Sequence, residues 1–114
     1  MSAKIKGTLR HIMSLFVRKD YVALEKLSNG VRLKASEIEE GVSEYGRTLV
    51  FPPPEAFQNV DVIPIRGHVP QKYSIRFNFY TIEEGESDLQ LQATFIDDPT
   101  TEQMRVEIDG ILVP

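Results

Sequence analysis

The chain contains no cysteine. This one absence removes disulfide frameworks, thiolate zinc sites and cysteine nucleophiles together. Histidine is scarce: His11 and His68 are the only two, and they do not form a His-x-x-x-His pair. A zinc site would therefore need carboxylate ligands that no spacing reveals. No serine sits in a Gly-x-Ser-x-Gly elbow, and the glycines fall singly at helix and turn ends rather than in a phosphate cradle. Long apolar runs are missing too. Thr8, Arg10, His11 and Ser14 interrupt the apolar positions near the N-terminus. Nothing resembles a signal-peptide core or the run of about 18 apolar residues that spans a membrane. The expected location is the cytoplasm, with no membrane partner. A basic patch is also lacking. Lys and Arg number 13 against 17 Asp and Glu, and the net charge is −4. The densest basic group (Lys4, Lys6, Arg10, Arg18, Lys19) is spread along one segment, which argues against a nucleic-acid partner.

What is present is ordinary for a single globular unit: 114 residues, 41% hydrophobic and 26% charged. A chain of this size buries roughly two-thirds of its unfolded surface and needs no covalent staple. Ile5, Leu9, Ile12, Met13, Phe16 and Val17 recur at helical spacing and predict an amphipathic helix of about four turns. Asp20 is placed to cap a second helix that turns Tyr21, Leu24 and Leu27 inward, with Asn29-Gly30 as its stop. Ser36-Glu37-Ile38-Glu39 reads as a capping box opening a third helix that ends at Gly46 despite the internal Gly41.

The register then changes. Thr48 to Phe51 is a short extended run that ends against Pro52-Pro53-Pro54, a segment that cannot donate to a ladder. Glu55 to Asn59 predicts a single helical turn, and Val60 to Ile65 an edge strand marked by Pro64. Tyr73, Ile75, Phe77 and Phe79 share one face of a strand, opposite Ser74, Arg76, Asn78 and Tyr80. After Glu83-Glu84-Gly85-Glu86-Ser87, the alternation resumes in Leu89, Leu91, Ala93 and Phe95. Pairing Ile82 with Asp88 would set Phe79 across from Leu91, Phe77 from Ala93 and Ile75 from Phe95, so that apolar meets apolar. It would also set Arg76 opposite Thr94. Met104, Val106 and Ile108 form the last strand, whose inward parity switches to Ile111 and Val113 through a bulge at Asp109-Gly110.

The expected fold is α+β: N-terminal helices packed on one face of a curved, four-stranded antiparallel meander. Residues 1–46 are helical, 47–59 a proline-containing crossover, and 60–114 the sheet, all in one domain. The order of elements resembles the cystatin-like and nuclear-transport-factor-like cone folds, an analogy that carries no motif.

Several groups are candidates for chemistry. Glu83, Glu84, Glu86, Asp88 and Asp109 could converge on one rim of the sheet and hold a hard cation such as calcium, although the spacing matches no calcium loop and a solvated loop explains them. His68 shares a rim with Asp97 and Asp98, a pairing suited to acid–base work, against the simpler reading of a solvated loop histidine. His11 flanks the first helix. The proline run could be an SH3-type ligand but explains itself better as cover for a sheet edge. The outer sheet face is the most informative surface. Arg76, Asn78, Tyr80, Gln90, Gln92 and Thr94 tile it, and its middle is polar yet nearly uncharged. A merely solvated face favours Lys and Glu, residues depleted at interfaces, so this face is the candidate docking surface for a protein partner or a second copy. Tyr45, Tyr73, Phe77 and Phe95 are the candidate lining of an apolar pocket between helices and sheet, which would make the domain a ligand-binding or weakly catalytic cone.

Three segments together are familiar: Glu44-Tyr45-Gly46-Arg47-Thr48-Leu49-Val50 running into Pro52-Pro53-Pro54-Glu55, then Glu83-Glu84-Gly85-Glu86-Ser87-Asp88-Leu89, then Arg105-Val106-Glu107-Ile108-Asp109. They resemble a family of small bacterial proteins known only as a domain of unknown function. The resemblance spans nearly the whole chain. It implies a free-standing bacterial cytoplasmic domain and carries over no catalytic or binding residue. The reading that follows is a non-enzymatic interaction module without a cofactor, acting through the outer sheet face.

Overall fold

A computed structural model describes residues 2–114. Three helices lead: α1 (Ala3–Val17), α2 (Tyr21–Leu27) and α3 (Ala35–Tyr45). Five strands follow: β1 (Leu49–Val50), β2 (Asp61–Ile65), β3 (Lys72–Thr81), β4 (Gly85–Ile96) and β5 (Arg105–Leu112), with a 3-10 turn over Pro54–Gln58 between the first two. All pairings are antiparallel, and the sheet is open. It has five strands rather than the expected four, because Thr48 to Phe51 contributes the two-residue β1 to the same edge of β3 that β2 pairs with.

The helix boundaries follow from local chemistry. Ser2 accepts the Ile5 amide at the start of α1, and Asp20 accepts the Ala23 amide at the start of α2. The third start differs from expectation. The helix begins at Ala35, before Ser36, and the Glu37 carboxylate accepts the Lys34 amide at 3.0 Å. Glu25, on α2, accepts the Ala35 amide at 2.7 Å. Two carboxylates from different places thus satisfy donors that a capping box would have handled alone. The internal Gly41 has a packing reason. A Cβ there would lie 3.2 Å from the Ile111 Cβ, so the missing side chain lets α3 approach the end of β5.

The core lies between the helices and the inner sheet face. Leu9, Ile12, Phe16, Leu24 and Ile38 meet Ile75, Phe79, Leu91, Phe95 and Ile108 there. Phe16 meets Phe79 edge-on, with ring centroids 4.9 Å apart. Leu15 is buried as well, whereas Val17 is only half-buried. Thr8, which interrupts the apolar pattern of the first helix, is fully buried. Its hydroxyl donates to the Lys4 carbonyl and accepts the Met104 amide, both at 2.8 Å, so it ties α1 to the entrance of β5.

The central hairpin keeps the predicted parity but not the predicted register. Phe77 faces Leu91 and Ile75 faces Ala93, a slip of two residues from the expected pairs. Arg76 consequently faces Gln92, and Thr94 faces Ser74. The cause is a tighter turn. Thr81 pairs with Gly85, whose φ of +75° suits glycine, and the surplus residues of β4 are taken up by an irregularity opposite Asn78–Tyr80. A slip of two preserves every inward side chain, so alternation alone could not detect it. The β5 bulge falls as expected: Gln92 pairs with Gly110 and Ala93 with Ile108, leaving Asp109 extra. Ile111 then turns inward and is half-buried, while Val113 stays exposed.

Candidate functional site

The outer face is built by the even-numbered residues of β3 and β4 and by their partners on β5. Arg76 is exposed, and Asn78, Tyr80, Gln90, Gln92 and Thr94 are half-buried. The amides bond one another in sequence. Gln92 Nε2 donates to Gln90 Oε1 at 3.1 Å, Gln90 Nε2 to Asn78 Oδ1 at 3.1 Å, and Asn78 Nδ2 to Glu86 Oε2 at 3.0 Å. Thr94 sits outside this ladder and donates to Asp109 at 2.7 Å, which in turn holds Arg32 at 2.6 Å. Thr94 also faces Glu107, as the pattern predicts. The ladder and Thr94 thus form two adjoining polar clusters on one surface.

Four of these six residues also line a groove of about 240 Å³, together with Ala56, Asn59, Asp61, Phe77 and Glu86. Partial burial raises the Tyr80 hydroxyl's pKa above the ordinary 10.0, with Glu86 and Glu55 adding to the effect. The wall formed by Ala56, Asn59 and Asp61 was not legible in the sequence. It exists because the proline segment carries the chain off the β3 edge and back. Phe57 anchors that excursion. It is fully buried, stacks on Phe77 at 5.3 Å, and lies beneath the Arg10 guanidinium at 4.8 Å. Lys6 adds a hydrogen bond to Gln58 at 3.1 Å.

The acidic residues do not assemble as one rim. Glu83 accepts the amide and hydroxyl of Thr48, at 2.9 and 3.0 Å. That amide holds the Glu83 carboxyl below its ordinary range. Glu84 accepts the Tyr45 hydroxyl at 2.6 Å and the Thr81 hydroxyl at 3.0 Å, and the buried Ser87 hydroxyl lies 3.0 Å away. The Tyr45 bond depresses the Glu84 pKa and raises that of Tyr45. Glu86 belongs to the amide ladder, and Asp109 lies mid-sheet, bonded to Thr94 and Arg32, well away from the hairpin. Asp88 is exposed. Among the described residues, no three carboxylates or imidazoles are grouped to hold a metal ion.

The acid–base pairing is not assembled either. Asp97 bonds to Lys4 at 2.8 Å, and Asp98 bonds to Thr100 at 2.6 Å, the contact that lowers its pKa. His68 is exposed and has no hydrogen bond among the described residues, and His11 is exposed on α1. The candidate pocket residues lie apart. Phe77 and Phe95 are packed in the core, Tyr73 is half-buried opposite Phe95, and Tyr45 is bonded at the hairpin end. The cavity that includes Tyr45 is bounded instead by Gly41, Leu89 and the end of β5.

Among the described residues, no helix is long and apolar enough to cross a membrane. No curated protein and no solved structure matches the chain. A family model does: the domain of unknown function DUF7668 matches residues 13–114, from the middle of α1 through β5 to the C-terminal residue. That match covers the whole sheet and both polar clusters of the outer face, and the chain belongs to that family.

Proposed function

We propose that this domain acts by binding a protein partner through the outer face of its sheet, not by catalysis, and that a second copy of the chain is the simplest such partner. The amide ladder carries the reading. Gln92, Gln90, Asn78 and Glu86 already use part of their hydrogen-bonding capacity on one another. Covering such a strip strands fewer polar groups than covering the same residues when each is solvated separately. The charges stand mainly around its border, at Arg76, Arg105, Glu107 and Asp109, where a rim contact sets orientation more than affinity. We place the domain in the bacterial cytoplasm, on the family resemblance.

Light scattering on the purified chain tests the proposal. The wild type is expected to approach twice 13.0 kDa as concentration rises. The Tyr80→Glu/Gln92→Lys double variant should stay at one chain mass, with unchanged far-UV circular dichroism. An unchanged mass in the variant, together with unchanged capture of proteins from lysate, would sink the idea.

A further inference from the structure

The groove on the outer face arises from a break in strand pairing. β2 pairs with β3 as far as Arg76, and β1 begins its pairing at Tyr80. Between them, no strand pairs with that edge at Phe77, Asn78 and Phe79. The chain detours through Pro52–Asn59 instead, and Phe57 holds the detour to the core. An open stretch of strand edge presents backbone donors and acceptors. Around it stand side chains with unused capacity. Arg76 and Asp61 are cross-strand neighbours, yet neither has an ion pair or side-chain hydrogen bond among the described residues. The Tyr80 hydroxyl stands beside the Glu86 carboxylate. Glu86 accepts from Asn78 at 3.0 Å, and a carboxylate has further lone pairs to offer.

We propose that this groove is a binding site for one hydroxyl-rich ring, a neutral monosaccharide unit. At about 240 Å³ it is smaller than the roughly 300–1,000 Å³ typical of drug-sized sites, which suits a single ring. Its planar groups are three primary amides (Asn59, Asn78, Gln90), two carboxylates (Asp61, Glu86) and one guanidinium (Arg76). Such groups bind adjacent hydroxyls through paired hydrogen bonds, because each hydroxyl both donates and accepts. Tyr80 supplies an aromatic wall for the C–H surface of the ring. Two carboxylates against one guanidinium, in a chain of net charge −4, disfavour an anion. The polar lining disfavours an apolar ligand. The site goes beyond the docking surface proposed above. It shares Arg76, Asn78, Tyr80 and Gln90 with that surface but does not use Gln92 or Thr94.

The test is a nitrogen-15 NMR titration of the intact chain with D-glucose, D-galactose, N-acetyl-D-glucosamine and their methyl glycosides. At least one sugar is expected to give saturable shifts centred on the amides of Asn59, Asp61, Asn78, Tyr80 and Gln90. The dissociation constant should be on the order of 1 mM, given the modest contact energy per atom of a small ligand. Arg76→Ala and Asn59→Ala, both at exposed positions, should each weaken binding roughly tenfold through lost hydrogen bonds. Thr94→Ala, which touches the separate Asp109 cluster and not the groove, should leave it unchanged, which separates this site from the docking surface. Equal binding of a methyl glycoside supports the site as a reader of glycan ends, and loss of binding on methylation supports it as a free-sugar site. Absence of saturable shifts with every sugar would overturn the proposal. So would shifts undiminished in both alanine variants, or tighter binding of inorganic phosphate.

Discussion

The inner and outer faces of the sheet are written by the same alternation, yet they dispose of polar groups in opposite ways. On the inner face the strands present Ile75, Phe77, Phe79, Leu91, Phe95 and Ile108, and the helices close over them. The few polar side chains on that side are buried and bonded: Thr8 to Met104 and Lys4, Thr81 to Glu84, and Ser87 to the Leu89 amide. No buried side-chain nitrogen or oxygen among the described residues lacks a partner. On the outer face the amides also find partners, but they find them sideways, in one another, and stay within reach of solvent. The inner face is therefore held by volume, where a lost methyl group leaves a hole. The outer face is held by hydrogen-bond geometry, which water can replace. The same sheet can be rigid on one side and available on the other.

The contrast is broken most severely at Phe57. Phe57→Ala should lower unfolding free energy by about 3–5 kcal/mol, the range for emptying a buried aromatic site. Urea denaturation measures it. The ring bridges the proline excursion to Phe77 and Phe51, so the same change should also loosen the groove wall at Ala56 and Asn59. A loss no larger than that of an outer-face substitution would mean that the excursion is not anchored from inside. A smaller effect belongs to Thr8. Thr8→Val keeps the shape but removes the acceptor of the buried Met104 amide. It should cost about 1–3 kcal/mol, the penalty for an unsatisfied buried donor, and Thr8→Ser should restore most of it.

These two residues also mark how far the sequence could be read. The helices, the parity of each long strand, the β5 bulge and the six outer-face positions follow from periodicity and turn chemistry, because each depends on neighbours within a few residues. Thr8 looked like an interruption of an apolar stripe, since its partner Met104 is remote in sequence. The hairpin register slipped by two for a related reason: an even shift keeps Ile75, Phe77, Leu91 and Ala93 inward, and only the glycine turn at Gly85 decides between the options. The groove was invisible because it depends on β1 and β2 sharing one edge of β3. No local pattern reports which edge a strand will join. The scattered basic residues of α1 misled in the same way. Lys4, Lys6 and Arg10 read as a loose charged face, but they reach Asp97, Gln58 and Phe57 and pin distant segments to the helix.

The mildest test of the contrast lies where the two faces meet, at the clamp of Tyr45, Thr81, Glu84 and Ser87 that fastens the end of α3 to the central hairpin. Glu84 has its pKa lowered from the ordinary 4.5, chiefly by the Tyr45 hydroxyl. A carboxyl depressed in the folded state contributes stability above its unfolded pKa and loses it as pH falls through the folded value. Tyr45 is raised from the ordinary 10.0 by the same bond, so its contribution is present below that pH and is lost as pH rises through its folded value. The clamp should hold fully between these limits and weaken beyond both. Glu84→Gln removes the charge while keeping the length of the side chain. It should make the fall of melting temperature below pH 4.5 shallower, though not abolish it, because Glu83 and Asp98 are also depressed. It should also move the ultraviolet titration of Tyr45 toward the ordinary tyrosine value. An acid limb and a tyrosine titration both identical to wild type would show that the clamp is not what joins α3 to the sheet. The helix would then rest on the packing of Ile38 and Val42 and on its approach to Ile111 at Gly41.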